Sequence, residues 1–333
     1  MNLPILWTQQ NQGSALEQEQ RQYSQIGVSN SEVSALTCER AWLFGYHPQL
    51  KLTPKSHGVA LTRGLLGHKV LEIFYLHIKD GTEYSDAVNV AMEYLNSLAI
   101  KAYQEFDMDK LDMIKHLESI LVMYFEHYEA DVQNWEILEV EAFHLLEWSG
   151  QAGVYLPMRL DLTIYQKSGK FKGETSPVDH KFTNDFWNSY KLRLNSQLPL
   201  YIRSLRGARF KNKNATVVRR SIVNQIRTRS MKNPYPHDIF RRSFIEANDE
   251  GMEKVFENHL KSALKIERLK RMPVKEAYEA TTAAWGSSSC QFCFFKEICA
   301  TDLEGGNTDM AVIADYAKST YGYPTMEELQ SER

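Results

Sequence analysis

The sequence contains no run of 18 apolar residues, and Met1 to Ser14 has no basic segment followed by a continuous apolar stretch. Both absences argue against a membrane span and a secretory leader, so a cytoplasmic protein is expected. There is no Gly-x4-Gly-Lys-Ser/Thr phosphate loop, which excludes ATP-driven unwinding of that type. No internal repeat and no long low-complexity linker interrupts the 333 residues, whose 43% apolar and 24% charged composition is that of a globular chain. Cysteine is scarce: Cys38 stands alone near one end, and Cys290-x2-Cys293-x5-Cys299 holds the other three. Thiols so placed favour metal ligation over disulfides in a reducing compartment, and they predict that the two ends of the chain meet at one metal centre.

Acids are nearly missing from one stretch. Tyr201 to Arg242 carries twelve Lys or Arg and a single carboxylate, Asp238, although the whole chain has a net charge of -3. Such a local excess predicts a surface that tracks phosphates, with an affinity that falls as salt rises.

Residues 1–30, rich in Gln and Asn at the start, read as an N-terminal arm, and 301–333 as a C-terminal tail. Between them, 31–300 reads as one α/β domain. Ser31 to Tyr46 suggests a short amphipathic helix holding Cys38. Helical periodicity runs from Gly58 to about Lys79, placing His68 and Glu72 on one face, and again over Tyr84–Ala102 and Leu111–Val132, a helical insertion at about 83–132. Glu136–Trp148, Val154–Tyr165 and Lys172–Phe182 read as neighbouring strands, separated by Ser149-Gly150 and Ser168-Gly169 turns. A helix from Asp185 to about Leu205, capped by Asn184 or Asp185, is then expected, followed by a strand or strand pair over Ala215–Arg229 and a long helix over about Ile239–Arg271.

Hydrolysis of a phosphodiester needs an activated water and neutralisation of the phosphate charge, which two carboxylates holding Mg²⁺ or Mn²⁺ supply. Asp161, the only acid between Val154 and Tyr165, and Asp179 on the next strand would form such a cradle. Lys181 follows Asp179 by two residues, so strand alternation points both to the same face.

The ordered set Gly64-x3-His68-x3-Glu72, Arg159-Leu160-Asp161, Asp179-His180-Lys181 and Gln197-x3-Tyr201 resembles the RecB-like branch of the PD-(D/E)XK nuclease superfamily. The one-plus-three cysteines resemble its iron-sulfur members, which include AddB-type, CRISPR-associated and stand-alone single-strand exonucleases. The resemblance implies a restriction-endonuclease-like core, a small mixed sheet flanked by helices, with a helical insertion and a C-terminal iron-sulfur region. It further implies that His68, Asp161, Asp179 and the backbone carbonyl of His180 ligate the divalent metal, and that Lys181 activates the water. Gln197 and Tyr201 would position the scissile strand or the lysine, and Glu72 would support His68 or the water. Where the family often has glycine three residues before the first acid, this chain has Met158.

The Cys-x2-Cys spacing suits zinc and a cubane cluster alike. The resemblance favours 4Fe-4S, held by Cys38, Cys290, Cys293 and Cys299 and shielded by Trp42, Phe292, Phe294 and Phe295. Closing a loop of about 250 residues would restrict the unfolded chain by roughly 5 kcal/mol, by the argument used for disulfides. The expected function is a Mg- or Mn-dependent DNA exonuclease acting on single-stranded ends and leaving 5'-phosphates, in recombination, repair or phage DNA metabolism. Tyr201, Trp187 or Phe210 could stack on bases. The alternatives are a structure-selective endonuclease and a noncatalytic DNA-binding subunit.

Overall fold

The computed structural model describes residues 27–55, 59–147, 155–206, 209–210, 213–214, 217–287 and 290–318. Most of the expected arm, the tail beyond 318, the Ser149-Gly150 turn and the side chains of Phe210 and Phe292 lie outside the described residues. The elements in chain order begin with α1 (Asn30–Ala35), α2 (Glu39–Tyr46) and β1 (Leu52–Pro54). Three long helices follow: α3 (Val59–Lys79), α4 (Tyr84–Gln104) and α5 (Met108–Asn134). Then come β2 (Trp135–Glu147), β3 (Tyr155–Gln166), β4 (Thr175–Thr183), α6 (Ser189–Arg193) and α7 (Gln197–Leu205). After the short β5 (Arg209–Phe210) and β6 (Lys213–Asn214), the chain forms β7 (Arg220–Arg227), α8 (Pro236–Ile239), β8 (Phe240–Glu246) and α9 (Asp249–Lys270). It ends in α10 (Val274–Ala280), a 3-10 turn at Cys290–Phe292, α11 (Lys296–Leu303), α12 (Thr308–Asp315) and β9 (Tyr316–Lys318).

The chain divides into two compact units. The sheet unit is drawn from Gly58–His144 and Arg159–Val255, the cysteine unit from Met1–His57, Leu145–Met158 and Phe256–Arg333. A five-stranded sheet has the order β2-β3-β4-β7-β8, antiparallel at β3–β4 and β7–β8 and parallel at β4–β7. This is the expected mixed α/β core. The parallel pair needs a crossover, which the chain between Thr183 and Arg220 provides with α6 and α7.

Alternation along β4 builds the two faces of the sheet. Val178 joins a core with Val70, Leu71 and Phe74 of α3, Ala91 and Leu95 of α4, and Ile114, Leu117 and Leu121 of α5. His180 stacks on Tyr75, and Phe182 packs against the same core. Each fully buried branched side chain there contributes about 1.5–3 kcal/mol. The opposite face carries Asp179 and Lys181 on β4 and Val223 on β7, and Val223 packs with Leu192 of α6 and Leu198 of α7.

Three expectations need correction. The helix over Asp185–Leu205 is two helices, because the Asn188 side chain accepts from Lys191 N–H and the Asn195 side chain accepts from Gln197 and Leu198 N–H, so each asparagine starts its own turn. The helix over Ile239–Arg271 is interrupted by β8, since Phe240 to Glu246 pair along the open edge of β7 and satisfy its backbone. The single helix over Ser31–Tyr46 is α1 and α2, with Cys38 at the N-cap of the second.

In the cysteine unit, the Ser29 and Glu32 side chains close a reciprocal cap on α1. Phe44, Leu52, Phe295, Ile298 and Tyr316 form a small cluster against which Cys293 and Cys299 pack, and β1 pairs antiparallel with β9. No helix among the described residues is long and apolar enough to cross a membrane.

Candidate active site

The carboxylates, histidine and lysine singled out from the sequence all fall in the sheet unit. Asp161 on β3 accepts the backbone N–H of His180 at 2.8 Å, and His68 Nδ1 of α3 lies 3.4 Å from the same oxygen. On β4, Lys181 Nζ lies 2.8 Å from Asp179 Oδ1 and donates to Gln197 Oε1 at 3.2 Å. The Gln197 amide bonds the Tyr201 hydroxyl one helical turn on, and that hydroxyl donates to the Arg159 carbonyl at 2.9 Å. A chain of hydrogen bonds therefore runs from α7 through Lys181 to Asp179, locking the lysine head.

Electrostatics bind the two acids into one site. Burial pushes the Asp179 carboxyl up to about 6; Asp161 adds to the rise, while Lys181 opposes it. Burial also works against ionisation of Asp161, but His68, His180 and Lys181 outweigh it and hold that carboxyl below its ordinary range. Lys181 is the converse: burial disfavours its charge, and Asp179 and Asp161 more than restore it. The ammonium is thus held protonated between two carboxylates. Asp179 Oδ2 is buried with no hydrogen-bond partner among the described residues. An anionic oxygen in that position is costly unless a cation meets it.

His180 contributes its backbone to this site and turns its ring away. Burial drives the imidazole down to about 3, and it sits between Tyr75, Tyr124 and Asn224. Glu72 pairs with Lys69 at 2.7 Å.

One residue escaped sequence reasoning. Glu141 of β2 offers a carboxylate oxygen to a set with His68 and Asp161 in which all ligand atoms lie within 4.8 Å of one another. Burial pushes Glu141 up to about 7, with Asp161 adding to the rise and Arg159, 2.8 Å away, opposing it. Its φ of 49° is left-handed inside a strand, a conformation that costs roughly 1–3 kcal/mol and clusters at functional sites. Nothing in Glu136-Ile137-Leu138-Glu139-Val140-Glu141 separates it from Glu139, which pairs with His144.

The close approach of α3 to β4 rests on Gly67. A Cβ there would meet the Phe182 ring at 2.3 Å, whereas at Gly64 the nearest atom is Phe182 Cβ at 4.0 Å. Phe182 also packs on His68, with 5.5 Å between ring centroids, so this contact places the histidine.

The basic stretch is less available than its composition suggests. Arg203 pairs with Glu253, Arg206 with Asp249, Arg220 with Glu174, Arg229 with Asp185, and Arg242 with Asp131 through both carboxylate oxygens. These acids all lie outside Tyr201–Arg242, so five of the twelve basic residues in that stretch are paired within the chain. Tyr201 is 4% exposed, so its ring belongs to the core and cannot stack on a base.

In the cysteine unit, Ala284 N–H donates to Cys38 Sγ at 3.5 Å, and Cys290 Sγ bonds the Ala284 carbonyl at 3.2 Å. Cys293 Sγ accepts from Phe295 N–H at 3.4 Å. Burial pushes the Cys299 thiol up to about 11; Cys293, Cys38 and Cys290 add to this, and Arg40 opposes it. Burial and the neighbouring sulfurs thus disfavour the Cys299 thiolate, which a cation would stabilise. Trp42 and Phe295 are buried, but Phe294 is 55% exposed and gives little shielding.

A family model described as the PD-(D/E)XK nuclease superfamily matches residues 28–300. No curated protein matches. A solved structure titled "Crystal structure of SSO0001" is similar at 14% identity, covering 60% of this chain and 79% of that one with a TM-score of 0.31.

Proposed function

We propose that this chain, which belongs to the PD-(D/E)XK nuclease superfamily, is a divalent-metal-dependent deoxyribonuclease that hydrolyses single-stranded DNA from its ends. The observation that carries this is the buried Asp179–Lys181 pair, joined electrostatically to Asp161, with one Asp179 oxygen left for a cation. The donor set fits Mg²⁺ or Mn²⁺, because hard cations prefer carboxylate and carbonyl oxygen and Mn²⁺ accepts one imidazole. His68, Asp161, Asp179 and the His180 carbonyl would hold the ion, with Glu141 in reach of the first two. When bound, the ion supplies charge neutralisation on the phosphate and activation of the attacking water.

The protein's own groups do the rest. Lys181, kept charged by both acids, donates hydrogen bonds toward the water or the developing phosphate charge. Gln197 fixes the direction of that ammonium, and Tyr201 acts through Gln197 as a positioning residue. The His180 N–H holds one Asp161 oxygen in place.

The cysteines would carry a structural 4Fe-4S cluster. N–H donors to Cys38 and Cys293 support this assignment, as does the influence of the other three cysteines on the Cys299 thiol. Protein prepared without air should contain about four irons per chain, whereas stoichiometric zinc would replace the cluster with a zinc site.

The nuclease reading is tested with end-labelled single-stranded oligonucleotides in Mg²⁺ and in Mn²⁺. Lys181→Ala should lower the cleavage rate by about 10²–10³-fold, as expected for loss of a preorganised donor. Equal cleavage by the parent and the variant would sink the assignment. Circular single-stranded DNA should stay intact, and its cutting would establish an endonuclease instead.

A further inference from the structure

From Phe186 to Arg206 the chain contains no Asp or Glu. The first part of this stretch joins the sheet face that bears Lys181. Register sets Lys181 beside Gln225, Thr183 beside Arg227, and Gln225 beside Arg241. Trp187 N–H donates to the Gln225 side chain at 2.5 Å, and the indole ring lies 5.8 Å from Lys181 Nζ and 4.3 Å from Lys191 Nζ. Phe186 rests against the guanidinium groups of Arg227 and Arg241, at 4.2 and 4.3 Å. Leu192 is buried with Leu198 and Val223, which anchors α6 and leaves Tyr190 71% and Leu194 82% exposed.

Single exposed apolar side chains are ordinary. These two differ in their setting, because Lys191 and Arg193, both exposed, lie between them in the chain, and the Trp187 ring lies between Lys191 and Lys181. A protein-binding patch would favour charges of both signs at its rim, whereas an acid-free one suits a polyanion.

We infer that residues 186–194 form a stacking platform for unpaired bases of the strand engaged at Lys181. Tyr190 supplies the ring and Leu194 an apolar edge, while Lys191 and Arg193 meet the phosphates. The inference rests on the nuclease reading and adds the place where the unpaired bases of that strand are held. In a duplex each base face is covered by its neighbours, but a single strand offers a free π-face at every base, whatever the sequence.

The test uses the full chain carrying Lys181→Ala, so that bound DNA is not degraded, and measures affinity for fluorescent oligothymidylate and for a blunt duplex at fixed salt. Adding Tyr190→Ala should weaken oligothymidylate binding about tenfold and leave duplex binding unchanged. Tyr190→Phe should restore the affinity. Unchanged oligothymidylate binding, or equal losses on both DNAs, overturns the platform; if the parent still cleaves DNA, the nuclease reading survives. Should the Lys181→Ala chain bind neither DNA and the parent cleave none, both fall together.

Discussion

Among the described residues, twenty-five buried hydrophobic side chains of the sheet unit form one core joining three helices to the strands, whereas the cluster beside Cys293 and Cys299 contains five. The difference sets what each unit can hold without a ligand. Asp179 and Lys181 are presented by consecutive outward positions of a central strand, and their heads are locked by α7 and by each other. The cysteines sit at a helix N-cap, a 3-10 turn, the position after it and a short helix. The first site is built by the core; the second would gain most from the cluster proposed for its sulfurs.

Removing the sulfur ligands should have the largest effect. Cys299→Ser is expected to abolish metal retention and make 256–318 sensitive to limited proteolysis, while 59–134 stays protected. Equal protection of both regions, with metal analysis showing the loss, would erase the distinction between the units.

A smaller effect tests the packing of the sheet unit. Gly67→Ala drives a methyl into the Phe182 ring and should destabilise by about 1–3 kcal/mol in denaturant unfolding. Gly64→Ala has room and should instead stabilise by roughly 0.5–1 kcal/mol through its helix preference. The same sign at both positions would show that α3 is not held against β4 as tightly as the distances indicate.

A further test belongs to the cysteine unit and is read by pH. Burial pushes Glu267 from 4.5 up to about 7; Glu32 adds to the rise, and Lys270 and Arg271 oppose it. Between those values the unfolded chain releases a proton that the folded chain keeps, so stability falls as pH climbs through the window. The ceiling is about 3 kcal/mol, and Glu267→Gln should flatten the curve. An identical pH dependence in the variant would assign the titration to another group.

Much of the sheet unit is legible in the linear chain. Val178-Asp179-His180-Lys181-Phe182 announces its two faces by alternation, and the structure divides them that way between α7 and the long helices. The helices α3 to α5 are legible because they are long and periodic. Segment 240–246 is not, since Phe240-Arg241-Arg242-Ser243-Phe244 supports a helix or a strand until β7 offers an edge to pair with. Nor could composition foresee that Arg242, the last residue of the basic run, closes on Asp131, 111 residues earlier.

The order and chemical type of the donors, the superfamily they point to and the alternation that puts Asp179 beside Lys181 were determined by the sequence itself, because each depends on neighbours within one motif or one strand. Tertiary structure decided the role of Glu141 in the acid cluster, the close approach at Gly67 and the number of arginines left for phosphate. Each of those depends on which distant side chain occupies the space opposite, and burial then sets whether a charge is paired, shifted or left to face the solvent.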